Sequence, residues 1–391
     1  MSARFAPTYQ RRLQPRGLLI GAATLMCLMI LATPVKAQSK KTTSLPPVRY
    51  QVQLWTVSGA TVQQVFDTNN QLQTVGSCLV DLDSDGVDDS QHGFLYVPAI
   101  TPGVGVDLND IVDGIPNGWT IRRASAISES GLQIAAHIGF GESLFPSNEL
   151  QAVVIDMNPL IPVLHLIPDR AFTGYSYSGD INDGGDVVVT YRRENGTYGH
   201  YLYNVYNSNP PTEISGVEMT PDNHQPAKIN NNGVIVGHRN SNDGYRRSAF
   251  GLFEEFPGLR PTAINENGAF CGGATVTTTK PRGTANYAFV YDTSLTLNKF
   301  SSSAGDLNKS LDSVLFGGSW LNHRTFGNLT IINLLDPRDS DSSLVSSLFC
   351  NTMTDRDPDP SLLVTNFPAL GGTANIGGID MGMHLIPVPA P

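Results

Sequence analysis

The sequence predicts an all-β fold, a β-propeller of about six to eight blades. One phrase recurs along the chain: a small or polar residue, Ile or Leu, then Asn, Asp or Ser, two polar residues and Gly. Short runs of branched and aromatic residues follow, and such runs favour strands. Three to four short strands in about 45 residues is typical of a propeller blade. A β-solenoid is the alternative, although its coils are usually shorter and more regular.

The phrase predicts a tight hairpin in each repeat. Its five copies are 81–86, 126–131, 180–185, 228–233 and 263–268. The polar residues and the closing Gly suit a hairpin turn, because Asn, Asp and Gly tolerate positive φ. The uneven spacing of the copies indicates loops of different length between similar strands. Four of the five copies are expected to serve the architecture alone, and only the copy at 81–86 is expected to carry chemistry.

The residues after each hairpin predict the remaining strands. The second strand is expected in runs such as Asp186–Thr190 and Val234–Gly237. An apolar, aromatic-rich strand is expected next, at 93–96, 152–155, 201–203, 249–253 and 288–291. Asp107–Val112 is the best candidate for a short helical turn, with Asp107 as its N-cap.

The first residues predict a secretory signal at 1–37, followed by a linker at 38–47 and the repeat domain at 48–391. Basic residues precede a mostly apolar run at 17–31, and Val35-Lys36-Ala37 offers a cleavage site before Gln38. An uncleaved anchor is the alternative, but the apolar run is short of the roughly 20 residues of a membrane span. We therefore expect a bacterial protein that is secreted or periplasmic, without a membrane span after cleavage.

The charge of the chain argues against a nucleic-acid partner. The sequence has 25 Lys and Arg against 35 Asp and Glu, a net charge of −10. Cleavage removes basic residues and no acidic one, so the mature chain is more acidic still. Nucleic-acid binding requires clustered Lys and Arg.

Three cysteines remain after signal cleavage: Cys78, Cys271 and Cys350. In a closed ring Cys78 and Cys350 could be neighbours, and a disulfide between them would latch the circle. The alternative is three buried thiols that act as small apolar side chains.

One copy of the phrase carries the strongest site signal, a calcium loop with a structural role. Asp81, Asp83, Asp85 and Asp89 occupy positions 1, 3, 5 and 9, with Gly86 at position 6. Alternate carboxylates converge on a hard cation, Gly permits the turn, and the carbonyl of Val87 supplies another oxygen. An EF-hand is disfavoured because position 12 is His92 rather than Glu. An ordinary hairpin with acids for solubility is the alternative.

Enzymatic motifs are absent from the sequence. It has no nucleophile elbow, zinc-binding helix, phosphate loop or dinucleotide fingerprint. The first hypothesis is therefore a non-enzymatic binding or scaffold module, with a glycan or protein surface as partner. The second is a glycan-processing lyase or hydrolase with an acidic site in the central channel.

The repeats resemble the HAF repeats of bacterial exported "extracellular repeat" proteins. That family pairs an A-I-N-x-x-G-x-x-x-G strand with an H-A-F-L-(Y/W)-D strand. Ala263–Gly268 with Tyr287–Asp292 is similar to such a pair, and His92–Tyr96 is similar to the second motif. The resemblance covers about 80–295 and implies an exported propeller with no catalytic residues to carry over. The chain lacks the family's C-terminal sorting segment, which favours a soluble product.

Overall fold

Seven four-stranded blades surround a central axis in the computed structural model. It describes residues 48–390 except 142–149, 159, 169–174, 208, 280–281, 299–300, 302, 316–318 and 355–366. The described residues belong to one compact unit of the chain. The propeller prediction is confirmed, and the solenoid alternative is wrong because the strands form separate radial sheets. The predicted signal (1–37) and linker (38–47) lie outside the described residues.

The first strand, β1 (Val48–Val57), belongs to the last blade. Blade 1 contains β2 (Ala60–Thr68), β3 (Thr74–Val80), β4 (Ser90–Tyr96) and β5 (Val104–Asp107). Blade 2 contains β6 (Trp119–Ile127), β7 (Gln133–Phe140), β8 (Leu150–Asp156) and β9 (Val163–Leu166). Blade 3 contains β10 (Ser176–Ile181), β11 (Asp186–Arg192), β12 (Tyr198–Asn204) and β13 (Thr212–Glu213).

The remaining blades follow the same order. Blade 4 contains β14 (Lys228–Ile229), β15 (Ile235–His238), β16 (Gly244–Arg247) and β17 (Phe253–Phe256). Blade 5 contains β18 (Leu259–Ile264), β19 (Phe270–Thr279), β20 (Arg282–Tyr291) and β21 (Leu295–Asn298). Blade 6 contains β22 (Ala304–Leu307), β23 (Ser313–Leu315), β24 (Trp320–His323) and β25 (Gly327–Thr330). Blade 7 contains β26 (Ser347–Met353), β27 (Leu370–Ile376), β28 (Ile379–Pro389) and β1.

Helical segments are short. The α-helix α1 (Leu108–Ile111) begins after Asp107, whose Oδ1 accepts the N–H of Asn109 at 2.9 Å. This confirms the predicted helical turn and its cap. The 3₁₀ helices are Pro221–Asn223, Ile331–Leu334 and Asp341–Ser343. No helix among the described residues is long and apolar enough to cross a bilayer.

The two ends of the described chain close the ring in blade 7. Strand β1 pairs antiparallel with β28 from Val48–Pro389 to Trp55–Gly382. The end of β1 then pairs in parallel with β5, so one continuous eight-stranded sheet contains blades 7 and 1. Closure therefore depends on a pairing between the most distant parts of the described sequence.

An aromatic cluster seals the junction of blades 7 and 1. The Trp55 ring stacks on Tyr96 at 4.4 Å between centroids and meets the edge of Phe94 at 5.3 Å. Gly382 lies under the indole, and a Cβ there would overlap the Trp55 ring. Such aromatic contacts stabilise by roughly 0.5–1.5 kcal/mol beyond area burial.

Each pair of neighbouring blades encloses its own apolar core. The described residues form seven such clusters, for example Val236, Phe256 and Phe270 between blades 4 and 5. A blade has apolar side chains on both faces, so it can bury them only between two neighbours. The core of this protein is therefore distributed around the ring.

A ring of polar side chains organises the hairpins between the first and second strands of the blades. Each blade supplies one residue to it: Asn69, Ser128, Asn182, Asn230, Asn265, Asn308 and Thr354. We call these seven the hub residues. All of them are buried. The oxygen of each accepts backbone N–H groups of its own hairpin. Four of them also donate Nδ2 to the hub carbonyl of the next blade, at 2.9–3.2 Å.

The hub residues correct the predicted repeat. The copies at 126–131, 180–185, 228–233 and 263–268 each contain a hub residue, but the copy at 81–86 lies between β3 and β4 and contains none. The true hairpins of blades 1 and 6 have Leu72 and Leu311 where blades 2 to 5 have Gly. Both leucines have positive φ, 61° and 67°, and each donates its N–H to its hub carbonyl as the glycines do. The glycine signal therefore disappears from these two copies while the backbone geometry persists.

Replacing Gly268 with Ala is expected to lower the free energy of unfolding by roughly 1–2 kcal/mol. This is the cost of holding an L-amino acid in the left-handed backbone conformation. Gly268 has φ +81° and a Cβ there would meet nothing within 4 Å, so the effect isolates backbone strain. Gly283→Ala is the matched control, because Gly283 has equal space without positive φ. Urea unfolding of both variants measures the difference. Equal stability of the two would contradict a strain argument.

The predictions for the outer strands and the cysteines differ in outcome. The aromatic-rich runs at 93–96, 152–155, 201–203 and 288–291 lie in third strands, as predicted. The prediction of a third strand at 249–253 is wrong: Phe250 is exposed in a turn, and Gly251 has φ +83°.

Cys78, Cys271 and Cys350 are free and buried. The predicted disulfide between Cys78 and Cys350 is therefore wrong, and the alternative of three buried thiols is confirmed. Burial raises the pKa of each thiol, that of Cys350 to about 12.

Candidate functional site

The predicted calcium loop connects β3 and β4 and brings three of its four carboxylates together. Oxygens of Asp81, Asp83 and Asp89 lie within 4.8 Å of one another. Asp85 is outside this group, and its Oδ1 accepts the N–H of Val87 at 2.8 Å. Three carboxylates at this spacing are compatible with one calcium ion, whose ligands are oxygens.

The same carboxylates stabilise the turn itself. Asp81 accepts the N–H groups of Ser84 (2.7 Å) and Gly86 (2.8 Å), and Asp89 accepts that of Leu82 (2.9 Å). An ordinary acidic hairpin would use these contacts too. The geometry therefore leaves both sequence interpretations standing, and calcium stays a prediction.

A small polar chamber lies on the propeller axis, at the hub end of the innermost strands. Its volume is about 100 Å³, and all seven blades line it. Four of the innermost strands place a charged side chain in the chamber, two positions before the hub residue. These are Asp67, Asp180, Lys228 and Asp306. We call this the hub chamber. It is where the sequence alternative of an acidic channel site would have to lie.

The hub-chamber aspartates are bound to the backbone of the next blade. Asp67 accepts the N–H of Ile127 at 2.9 Å and Asp180 that of Ile229 at 2.9 Å. Asp306 accepts that of Met353 at 2.8 Å. The three carboxylates thus hold neighbouring blades together at equivalent positions of the repeat.

Burial in the hub chamber shifts the pKa values of its charged side chains. Burial raises the pKa of Asp67, that of Asp180 to about 6 and that of Asp306 to about 7. Burial acts to lower the pKa of Lys228, but the charges of Asp180 and Asp67 raise it overall. The Lys228 Nζ lies 3.8 Å from Asp180 Oδ1. One cation therefore faces three carboxylates that burial makes less acidic.

A larger cavity of about 480 Å³ lies between blades 4, 5, 6, 7 and 1. Ligand pockets typically have volumes of about 300–1,000 Å³. We call it the funnel cavity. Its described lining includes Arg260 and His238 but no Asp or Glu. A cavity of ligand size with a basic lining is unexpected in a chain of net charge −10.

His238 and Arg260 line this cavity without an ion pair or side-chain hydrogen bond to the described residues. His238, the last residue of β15, is 5 % exposed, and neither ring nitrogen has a hydrogen-bond partner. Burial, and then the charge of Arg260, lower the pKa of His238 to about 4. Arg260 in β18 forms no ion pair among the described residues, whereas Arg193, Arg239, Arg246 and Arg338 each do. A buried polar group without a partner costs roughly 1–3 kcal/mol, so His238 beside the partly exposed Arg260 indicates a ligand site at this cavity.

Two aromatic rings and several amides complete the funnel cavity. Phe66 and Phe349 line it, and the Arg123 guanidinium carbon lies 3.4 Å from the centroid of the Phe66 ring. Gln64 and Gln225 line it with exposed side chains that form no hydrogen bond with the described residues. The arrangement can offer hydrogen-bond donors, acceptors and stacking surfaces to one ligand.

Comparison with solved structures supports the fold. The chain is similar to the β-propeller domain of the Trilobed protease from Pyrococcus furiosus, with 11% identity and a TM-score of 0.51 over 84% of this chain and 95% of that one. It is also similar to acylaminoacyl peptidase from Pyrococcus horikoshii, with 12% identity and a TM-score of 0.49. That match covers 83% of this chain and about half of the peptidase, 51%. No protein-family model and no curated protein matches the chain.

Sequence reasoning missed the funnel cavity. Its lining residues come from five blades, and no two of His238, Arg260 and Phe349 form a local motif. Tyr245 follows the polar residues Asn242-Asp243-Gly244, a context that predicts an exposed ring, but it is fully buried and its hydroxyl contacts His200 Nδ1 at 2.9 Å. Arg260 is a basic residue in an innermost strand, but so are Arg122, Arg123 and Lys228, so the sequence carries no specific signal of this cavity.

Proposed function

We propose that the protein is an exported, non-enzymatic binding module whose ligand, a glycan, occupies the funnel cavity. The observation that carries the proposal is His238, whose two ring nitrogens have no partner among the described residues, beside Arg260 at a cavity of about 480 Å³. Export rests on the predicted signal at 1–37, and membership of the HAF-repeat family on the repeat motifs. A propeller ring supplies a rigid frame for such a site, because each blade is fixed by two neighbours.

A glycan-processing lyase or hydrolase is the second candidate. One observation favours it: burial raises the pKa of Asp306 to about 7, a value suited to a general acid. Two observations favour binding instead. The hub chamber, at about 100 Å³, is smaller than ligand pockets of about 300 Å³ and above. Its three aspartates already accept N–H groups of neighbouring blades.

A glycan-array screen of the chain from Gln38 onward, with product analysis by mass spectrometry, tests the two candidates. We expect binding without turnover, and loss of that binding in Arg260→Gln. Cleavage products that disappear in Asp306→Asn would support the enzyme instead. The absence of any bound glycan and of any product would overturn both.

We also propose that calcium stabilises the loop between β3 and β4. The support is the convergence of Asp81, Asp83 and Asp89 within 4.8 Å. Calcium sites of extracellular modules have dissociation constants of about 10⁻⁴–10⁻³ M. At this affinity, 10 mM calcium stabilises the folded state by roughly 1–3 kcal/mol.

Calcium is therefore expected to raise the unfolding temperature by a few degrees, and Asp83→Asn to abolish the rise. The Asn oxygen can still accept the N–H of Asp85, as Asp83 does at 3.2 Å, so the variant removes charge and keeps the turn. Asp88→Asn, outside the cluster in the same loop, is the control. Differential scanning calorimetry with calcium and with magnesium measures the effect. An unchanged wild-type transition would leave the loop as an ordinary acidic hairpin.

A further inference from the structure

We propose that the ligand of the funnel cavity is an acidic saccharide, whose carboxylate is bound by Arg260 and His238. This inference rests on the proposed function and specifies its ligand class. The acidic ligand class goes beyond the proposed function, because a binding module of this fold could equally take a neutral glycan. Three features of the cavity point to this ligand class: its charge, its unpaired donors and its rings.

The charge of the funnel cavity selects an anion. Its described lining contains the guanidinium of Arg260 and no carboxylate. Arg246, in contrast, is paired with Glu254 at 2.7 Å. A guanidinium left without a carboxylate in a concave site binds carboxylate or phosphate groups through its planar fork of donors.

His238 supplies a second group that a carboxylate can satisfy. Both of its ring nitrogens are buried without a partner among the described residues, and Arg260 lines the same cavity. A neutral imidazole carries one N–H donor, which can hydrogen-bond to the oxygen that Arg260 leaves free. The pair thus provides a guanidinium and an imidazole for one anionic group.

The rest of the lining fits a sugar ring better than a bare ion. Phe66 and Phe349 offer apolar faces, and Phe66 is held in place by the Arg123 guanidinium behind it. The amides of Gln64 and Gln225 can donate to and accept from hydroxyl groups. A uronate unit combines an anionic carboxylate, hydroxyls and an apolar ring face, whereas inorganic phosphate offers only an anionic group.

The test uses matched charged and neutral ligands by titration calorimetry. The probes are oligogalacturonate, oligoglucuronate and oligomannuronate, the fully methyl-esterified form of the first, and glucose 6-phosphate. We expect at least one uronate to bind, and its ester to bind about 10-fold or more weakly, since hydrogen bonds to charged groups are the stronger ones. Glucose 6-phosphate is expected to bind more weakly than the uronate.

Variants connect binding to the cavity. Arg260→Gln and His238→Gln are expected to weaken uronate binding by about 10- to 100-fold. Arg246→Gln is the control, because Arg246 lies outside the cavity in an ion pair with Glu254. Thermal unfolding of each variant establishes that it folds. If Arg260→Gln fails to fold, Arg260→Lys, which keeps the charge but loses the planar fork, replaces it and is also expected to bind more weakly.

The outcomes separate this inference from the proposed function. Equal binding of the uronate and its ester, or of a neutral glycan alone, would overturn the acidic ligand and leave the binding module intact. Tighter binding of glucose 6-phosphate would overturn the carboxylate assignment. Unchanged uronate binding in both cavity variants would overturn the site. The absence of any saccharide binding would overturn the proposed function as well.

Discussion

Asn230→Ala is expected to lower the free energy of unfolding by roughly 3–5 kcal/mol. Asn230 is buried, and its Oδ1 accepts the N–H groups of Asn232 (3.1 Å) and Val234 (2.9 Å). Its Nδ2 donates to the Asn265 carbonyl of blade 5 at 3.0 Å. The alanine variant leaves two N–H donors without their acceptor and removes one of the two donors to the Asn265 carbonyl, which keeps the Gly268 N–H. Each unsatisfied buried group costs about 1–3 kcal/mol. Urea unfolding followed by fluorescence measures the loss.

Two further variants make this prediction specific. Asn242→Ala, in the same blade, is the control, since Asn242 is exposed and its side chain forms no hydrogen bond with the described residues. Asn230→Ser is expected to lose less than Asn230→Ala, because Ser128 fills the equivalent position in blade 2 and its Oγ accepts the N–H of Gln133 at 3.1 Å. A loss in Asn230→Ala no larger than that in Asn242→Ala would mean that the hub residues do not stabilise the ring.

Acid is expected to destabilise the protein through four histidines that burial keeps neutral. Burial lowers the pKa of His137, His200 and His384 to about 3, and that of His238 to about 4, from 6.5. Below pH 6.5 the unfolded chain takes up protons that the folded protein does not. Each of these groups therefore contributes stability above pH 6.5 that is lost as the pH falls toward 3. Between pH 6.5 and 4 the loss is on the order of 3 kcal/mol per group.

His200 is the most informative of the four to replace. Its Nε2 lies 3.0 Å from the Gln225 carbonyl and must donate to it, so Nδ1 accepts from the Tyr245 hydroxyl at 2.9 Å. The neutral tautomer is thus fully satisfied. The neighbouring His238 and Arg193 also lower the pKa of His200, because they disfavour a positive charge on its ring.

The expected result is that His200→Gln is less stable than wild type at pH 7 but loses less stability between pH 7 and 4. His165→Gln is the control, because His165 is exposed on β9. Denaturant unfolding at several pH values gives the slopes. Parallel pH profiles for wild type and His200→Gln would show that His200 titrates normally in the folded state.

The hub-chamber aspartates act in the opposite direction. The folded pKa of Asp180 is about 6 and that of Asp306 about 7, both raised by burial from 3.8. Between pH 3.8 and these values the folded protein holds more protons than the unfolded chain, so stability falls as the pH rises. The two sets of groups oppose each other between pH 4 and 6.5, and single variants are needed to separate them.

The repeat could be predicted from sequence only where its glycine is present. Gly233 and Gly268 mark hairpins that local residues specify, whereas Leu72 and Leu311 adopt the same positive φ without that mark. The copy at Asp81 has the letters of the phrase but a different place in the blade. The conserved physical feature is the buried hub side chain and its hydrogen bonds, which spacing alone does not reveal.

The candidate sites divide in the same way. The acidic loop is a local arrangement, so its three converging carboxylates were predictable from their spacing. His238 and Arg260 line the same cavity because β15 and β18 are neighbours across a blade boundary. Nothing in the residues around either one signals the other.

Taken by itself, the sequence determined what short-range physics controls: strand-forming runs, tight hairpins, the capped turn at Asp107 and an acidic all-β repeat. The tertiary structure alone decided that there are seven blades, that β1 closes the last one against β28, and that two basic side chains face a shared cavity. The reason is that closure and the cavity depend on contacts between distant segments. Such contacts form only when every blade is fixed by its neighbours.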